Sequence, residues 1–174
     1  MYVLSRQLNG LPILSLQSGQ PLAAIESLVI DPTQLEIVAM RCHHVGGMEQ
    51  PVVTPLDIRQ VSVDGIIVDS EDALTDAVDI IRLAPLLNLG NFPLHVPVVS
   101  DMGRKLGKIE EFTINLETFR VQKLHIRPGA LQSLMHGSLI IDRSQIIDIK
   151  PELIVVRDVA VKVAVPAPGV VPEA

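Results

Sequence analysis

The chain is poor in aromatic residues and in cysteine. Its 174 residues include no tryptophan, one tyrosine, three phenylalanines and a single cysteine, Cys42. One cysteine excludes an intramolecular disulfide framework and is compatible with a reducing compartment. No run approaches the roughly 18 uninterrupted apolar residues of a membrane span, and the first ten residues lack the basic and apolar regions of a secretory signal. We therefore expect a cytoplasmic protein without a membrane span.

Basic residues are also scarce and unevenly placed. Lys and Arg number 14 against 20 Asp and Glu, so the formal net charge is −6. This acidic balance disfavours broad binding to nucleic acid or to an anionic membrane surface. Residues 1–84 contain no lysine, and the only local basic cluster is Arg104, Lys105 and Lys108. These three residues, the basic cluster from here on, are the candidate partner-binding residues.

Aliphatic residues are abundant, and their order repeats. Hydrophobic residues make up 48% of the chain, which excludes disorder for most of it. A shift of 84 positions aligns residues 18–42 with 102–126, and five of these 25 pairs are identical. A second match, with four more residues in the later copy, aligns 52–68 with 140–156. The sequence therefore predicts two modules of one fold.

Each copy has the pattern of short β-strands. Val, Ile and Leu recur at a spacing of two or three in residues 22–31 and 106–115, and turn residues follow both segments. Gly19 and Gly103 occupy equivalent positions in the preceding turn, where glycine tolerates a positive φ angle. Five or six short strands in roughly 75 residues favour a small barrel, because closure removes exposed sheet edges.

The segment between the copies has a helical pattern. Ser70 is a suitable N-cap, apolar residues follow at helical spacing, and Pro85 ends the run. The pattern predicts one connecting helix near residues 71–84. The predicted division is a first module at 1–70, a connecting helix and linker at 71–88, a second module at 89–160 and a disordered, proline-rich tail at 166–174. The segment after Val156 has the composition to add one more strand.

Residues with catalytic or metal-binding chemistry are few and scattered. Cys42, His43 and His44 supply thiolate and imidazole, which are zinc ligands, but consecutive residues on a strand point to opposite faces. Glu26 and Glu110 are equivalent and are interpreted as surface or turn residues. The sequence has no glycine-rich phosphate-binding motif and no nucleophile elbow. We therefore predict no catalytic residue, no cofactor, no metal ligand and no enzymatic activity.

The repeat unit resembles the PRC-barrel domain. The resemblance is carried by residues 98–115 (VVSDMGRKLGKIEEFTIN) and 119–126 (FRVQKLHI), which give an apolar strand, an acidic-Gly turn, a Leu-Gly pair and two further strands. The first copy, at 13–32, is similar but has Ala23 where the second has Gly107. The family includes the cytoplasmic part of the photosynthetic reaction-centre H subunit and the C-terminal domain of a ribosome maturation factor. The resemblance implies a mainly β fold of two small PRC-like barrels in tandem, used as a docking platform.

Three hypotheses of function follow. The first is a non-enzymatic adaptor that binds an unidentified protein partner through its two modules. The second is an accessory factor in RNA processing or ribosome maturation that acts through the basic cluster. The third is a barrel that binds a small ligand or a metal ion through Cys42, His43 or His44. Two similar modules in one chain can pack as a pseudo-twofold pair, which favours a monomer, with a homodimer as the alternative.

Overall fold

The computed structural model describes residues 1–43, 48–62, 64–129 and 139–158, and these residues form mainly β-strands, as predicted. In chain order, the strands in this part are β1 Tyr2–Leu4, β2 Pro12–Ser15, β3 Pro21–Asp31, β4 Glu36–Cys42, β5 Pro51–Val53, β6 Ile58–Val61, β7 Ile66–Val68, β8 Leu74–Asp76, β9 Pro97–Ser100, β10 Lys105–Asn115, β11 Arg120–Arg127, β12 Leu139–Asp142, β13 Ile146–Lys150 and β14 Leu153–Val156. The helical elements in the same part are α1, Ala84–Leu87, and the one-turn 3-10 helices Ser5–Gln7, Pro55–Asp57, Glu71–Ala73, Ala77–Asp79 and Arg143–Gln145. No helix among the described residues is long and apolar enough to cross a membrane.

The two halves of the chain have the same strand order. In the first half β6, β7, β2, β3, β4 and β5 lie side by side, and in the second half β13, β14, β9, β10, β11 and β12 do. The pairs β2–β7 and β9–β14 are parallel, and the other pairs in these two series are antiparallel. The internal repeat of the sequence is therefore also a repeat of the topology.

The turns before β3 and β10 are built alike. Gly19 and Gly103 have φ angles of 67° and 77°, in the left-handed region that favours glycine. In each turn a buried serine, Ser15 or Ser100, accepts a hydrogen bond from a turn amide through its hydroxyl oxygen, at 3.1 and 3.2 Å. The short side chain of serine thus satisfies a backbone donor in both copies.

Among the described residues the hydrogen-bonded sheet is not closed into a barrel, so the two small barrels in tandem stay a prediction. Within the described ranges its main path runs β13-β14-β9-β10-β11-β4-β3-β2-β7-β6, so that β6 and β13 form its two ends. A 3-10 turn, Pro55–Asp57 or Arg143–Gln145, carries the chain from β5 to β6 and from β12 to β13. β1, from the beginning of the chain, pairs with β10 in the second half.

The junction between the halves is symmetric. Glu36 on β4 pairs with Arg120 on β11, and these two positions are related by the shift of 84 that relates the repeats. Two backbone hydrogen bonds related by the same shift flank this pair, from Ile37 N to the Phe119 carbonyl at 2.8 Å and from Val121 N to the Leu35 carbonyl at 2.9 Å. A pseudo-twofold axis therefore passes between Glu36 and Arg120.

The prediction of one connecting helix near residues 71–84 is wrong. This stretch forms two 3-10 turns around β8, and in the described part only α1 is α-helical. Ser70 does cap the first turn, because its hydroxyl oxygen accepts a hydrogen bond from a backbone amide at 3.3 Å. Leu74 enters the core opposite Val53, whereas Ile81, an apolar residue of the same stretch, is 90% exposed. Pairing of β8 with the edge of β5 overrides the local helical spacing.

The apolar residues form two cores of unequal size. The main core runs through both halves. The second core covers the outer face of the first half and contains Val29, Ala39, Val52, Ala77 and Leu83. In the second half, Thr113, Lys123 and Ile140 occupy the positions equivalent to Val29, Ala39 and Val52. The outer face of the second half is therefore more polar, and Ile140 remains 39% exposed.

The predicted strand after Val156 and the predicted tail at residues 166–174 lie almost wholly outside the described residues.

Candidate functional site

The basic cluster lies at the start of β10. Lys105 and Lys108 are exposed. Arg104 is also exposed, but its Nη2 atom lies 2.6 Å from Oδ1 of Asp158, in an ion pair. Because this carboxylate offsets one of the three positive charges, the local potential is close to that of two lysines.

The cysteine and histidine candidates are separated by the strand geometry. Cys42, at the end of β4, is 3% exposed and pairs in register with Ile25. Burial raises the pKa of its thiol to about 11, so the thiol is protonated at neutral pH and is a poor nucleophile and a poor ligand. His43 is exposed, and His44 lies outside the described residues. In the part of the chain that the structure describes, no three His, Cys, Asp or Glu side chains form a group that could hold a metal ion.

A polar cleft of about 480 Å³ lies between the first 3-10 turn and the β10–β11 pair. Its charged side chains are paired, with Arg127 Nε 2.7 Å from Glu110 Oε2 and Arg6 Nε 3.8 Å from Glu111 Oε2. Glu111 Oε1 also accepts hydrogen bonds from the Ser5 amide, at 3.1 Å, and from the Ser5 hydroxyl. The contacts of Glu111 with Ser5 and Arg6 therefore attach the start of the chain to the second half.

The same cleft contains His125, whose ring contacts a threonine hydroxyl and not the hydroxyl of Ser5. His125 Nε2 lies 2.8 Å from Thr113 Oγ1. Burial lowers the pKa of His125, against the opposing effect of the nearby Glu111 and Glu110. Because the Ser5 hydroxyl donates to Glu111, the serine and the histidine have different partners. This arrangement is not that of an activated serine nucleophile.

The two ends of the sheet carry different side chains at equivalent positions. On β6, Arg59 donates two hydrogen bonds to Asp69, from Nε at 2.7 Å and from Nη2 at 2.6 Å. A charged side chain on an edge strand discourages pairing with another chain. On β13 the equivalent residue is Ile147, which is 52% exposed. Among the described residues β13 pairs only with β14, and none of them forms a strand along its other side.

A groove of about 340 Å³ runs beside β13. One wall is β13 itself, and the other contains Thr33 and Leu35, from the turn that precedes β4. Arg143 lies in this groove, and its guanidinium donates hydrogen bonds to the carbonyls of Leu35, Val121 and Gln34. The residue equivalent to Arg143 in the first half is Pro55, which has no donor to take this place. These guanidinium contacts therefore have no counterpart at Pro55 in the first half.

Comparison with protein-family models matches no family to this chain, and comparison with curated proteins gives no match.

The candidate site therefore consists of β13 and its groove, and the sequence-based candidates do not include it. The signal was present in the alignment of residues 52–68 with 140–156, where the paired Arg59 is replaced by Ile147. Exposure of Ile147 could not be derived from this replacement, because an isoleucine in a strand is more often buried. Whether such a residue is exposed to solvent depends on whether another element of the fold lies next to its strand.

Proposed function

We propose that the protein is a non-enzymatic cytoplasmic adaptor that binds an extended segment of a partner protein along β13. The observation that carries this proposal is the contrast between the two sheet ends, one with the Arg59–Asp69 ion pair and the other with the exposed Ile147. An edge strand with open backbone groups can accept a further strand, whose main-chain hydrogen bonds give affinity. Pockets for alternate side chains then give specificity.

The side chains of the groove favour an apolar partner segment. Ile147 offers an exposed aliphatic surface, and Asp148 and Lys150 form an ion pair with each other at 3.6 Å. The guanidinium of Arg143 is already engaged by three backbone carbonyls, so it has little capacity left for a carboxylate. We therefore expect a strand with an aliphatic or aromatic residue opposite Ile147.

The two halves are further proposed to be modules of the PRC-barrel type. The motif of residues 98–126, the repeated strand order and the equivalent turn glycines support this relation. The pseudo-twofold junction at Glu36 and Arg120 supports a monomer, because one chain already supplies both halves of a symmetric contact. Light scattering on the purified protein tests this. We expect the mass of one chain, and the mass of two chains would contradict the monomer and favour the homodimer.

Affinity capture from a lysate of the source cells tests the adaptor function. Three baits are compared: the unmodified full chain, the variant Ile147→Glu and the control Leu56→Glu. The control introduces glutamate at a leucine of the first half that is 90% exposed. We expect the unmodified chain and the control to retain one stoichiometric protein and Ile147→Glu to lose it. Retention by all three baits, or by none, would contradict the proposal.

The same capture separates the adaptor from the RNA-associated alternative. Binding through the basic cluster would rest on phosphate neutralisation and would weaken steeply with salt. Recovery of ribosomal proteins and RNA that disappear at physiological ionic strength, unaffected by Ile147→Glu, would favour the maturation-factor hypothesis. A partner that binds along β13 is expected to persist, because backbone hydrogen bonds and apolar contacts are less sensitive to salt.

A further inference from the structure

Two arginine side chains lie at the mouth of the polar cleft beside the first 3-10 turn. Arg6 belongs to this turn, Arg127 ends β11, and both line the cleft of about 480 Å³. Their side chains are 74% and 77% exposed, whereas Glu111 and Glu110, the carboxylates that they face, are more buried. The carboxylates therefore lie deeper in the cleft, and the guanidinium groups lie closer to the solvent.

Both arginines face their carboxylate with Nε. Arg127 Nε lies 2.7 Å from Glu110 Oε2, and Arg6 Nε lies 3.8 Å from Glu111 Oε2. A guanidinium is planar and has five N–H donors, so one whose Nε edge faces a carboxylate presents its two Nη groups in another direction. This pair of Nη groups matches the two oxygens of a second carboxylate in a bidentate arrangement.

A third cation stands next to Arg127. Lys108, an exposed residue of β10 and of the basic cluster, is paired in register with Arg127 on β11. Residues directly opposite each other in an antiparallel pair point to the same face, and like charges in this arrangement are destabilising. Glu110 compensates for one of the two positive charges, so an anion next to Lys108 and Arg127 would stabilise both side chains.

The carboxylate of Glu111 is already bonded to donors of the protein. Its Oε1 accepts hydrogen bonds from the amides of Ser5 and Phe112, at 3.1 and 2.8 Å, and from the Ser5 hydroxyl. Because these donors stabilise its charge, Glu111 repels an incoming anion less than an unbonded carboxylate would. Leu4 and Leu94, both partly buried, also line the cleft. The cleft thus combines cationic groups at its mouth with an apolar surface.

We propose that this cleft binds a small organic carboxylate, held between the Nη groups of Arg6 and Arg127. The ammonium group of Lys108 adds a third favourable charge, and the aliphatic body of the ligand packs on Leu4 and Leu94. Three cationic side chains face two carboxylates here, a surplus of one positive charge that matches a monoanion better than a phosphate group of about −1.5 to −2 charges. The site shares no residue with the groove beside β13, so this inference goes beyond the proposed adaptor function and does not depend on it.

Titration of the isotope-labelled full chain with isovalerate tests the site, and isovaleramide is the matched probe without a charge. Both are added at neutral pH and constant ionic strength. We expect saturable shifts of the amides of Arg6, Glu111 and His125 with isovalerate and none with isovaleramide. Because the probe has few non-hydrogen atoms, a dissociation constant of about 1 mM is the expected order.

Two variants each remove one guanidinium group, and a third serves as the control. Arg127→Gln and Arg6→Gln are each expected to weaken the binding of isovalerate at least about tenfold, because each loses a charge-assisted contact. Both side chains are exposed, so neither substitution disturbs the core. Arg82→Gln replaces an exposed arginine that does not line the cleft, and its affinity is expected to be unchanged.

Three results would each overturn the proposal: no saturable shifts with isovalerate, equal shifts with isovaleramide, or an affinity in either cleft variant equal to that of Arg82→Gln. Inorganic phosphate is the remaining probe. Tighter binding of phosphate than of isovalerate at the same amides would assign the cleft to phosphate compounds, which also overturns the carboxylate.

Discussion

Replacement of Arg143 by alanine is expected to destabilise the protein more than any single loss of an exposed ion pair at the junction of the halves. Arg143 begins the 3-10 turn after β12 and reaches across to the turn before β4 in the first half. Its guanidinium donates to the carbonyls of Val121 and Leu35 at 3.3 and 3.5 Å and to that of Gln34. In the variant these three carbonyls lose their donor and either accept from water or have no hydrogen-bond partner.

The magnitude follows from the geometry of these contacts. A hydrogen bond from a charged donor contributes about 1.5 to 3 kcal/mol, and the two longer contacts add less. The side chain is partly exposed, so water replaces some of what is lost, and about 2 kcal/mol is expected for Arg143→Ala. The control is Arg120→Ala, which breaks the ion pair with Glu36 between half-exposed side chains and costs about 0.5 kcal/mol.

Urea unfolding followed by circular dichroism measures both variants. A loss of unfolding free energy in Arg143→Ala about four times that in Arg120→Ala is the expected result, with unchanged dependence on urea. Equal losses in the two variants would refute the argument, because an engaged guanidinium would then contribute no more than an exposed ion pair.

Three further predictions concern Cys42, Gly107 and His125. At pH 8 a thiol reagent is expected to modify Cys42 at least about 100-fold more slowly in the native protein than in urea, because the pKa of the thiol is raised from 9.0 to about 11; equal rates would contradict its burial. Gly107→Ala is expected to lower the unfolding free energy by more than about 3 kcal/mol, since φ is 142° and a Cβ would lie 2.1 Å from the Arg127 carbonyl oxygen. Gly103→Ala, which meets nothing within 4 Å at φ 77°, is the control and should cost about 1 kcal/mol; urea unfolding that ranks the two in the opposite order would show that the close contact is absent. Burial lowers the pKa of His125 below its value in the unfolded chain, so this histidine contributes stability that is present above about pH 6.5 and is lost as the pH falls below that value. The unfolding free energy between pH 5 and 8 should therefore slope less in His125→Gln than in the unmodified chain, and an unchanged slope would remove His125 as the cause.

The repeat and the strands could be predicted because their signals are local. The shift of 84 relates Gly19 to Gly103, so the alignment anticipates two equivalent turns, whereas the pairing of Glu36 with Arg120 is found only in the structure. Alternation of aliphatic residues along a strand needs no knowledge of the partner strand. The mainly β class and the division into two similar halves follow from such patterns.

The rest depends on contacts between residues distant in the chain. Leu74 has helical spacing from its neighbours, yet it pairs with β5 because that edge offers more burial than an isolated helix face does. β1 pairs with β10 through Val3 and Ile114, which are separated by most of the chain. The open edge beside Ile147 likewise follows from the strand order and not from the isoleucine itself. Patterns of single segments carry no information on such neighbours.

Binding along β13 is tested most directly by amide chemical shifts. A synthetic peptide covering the contacting segment of the captured partner is titrated into isotope-labelled protein at physiological salt. We expect the largest changes in the amides of Ile146–Lys150, with little change in Ile58–Val61 at the other end of the sheet, and no such changes in Ile147→Glu. Changes centred on Arg104, Lys105 and Lys108, or on β6, with β13 unaffected would contradict the proposed docking edge.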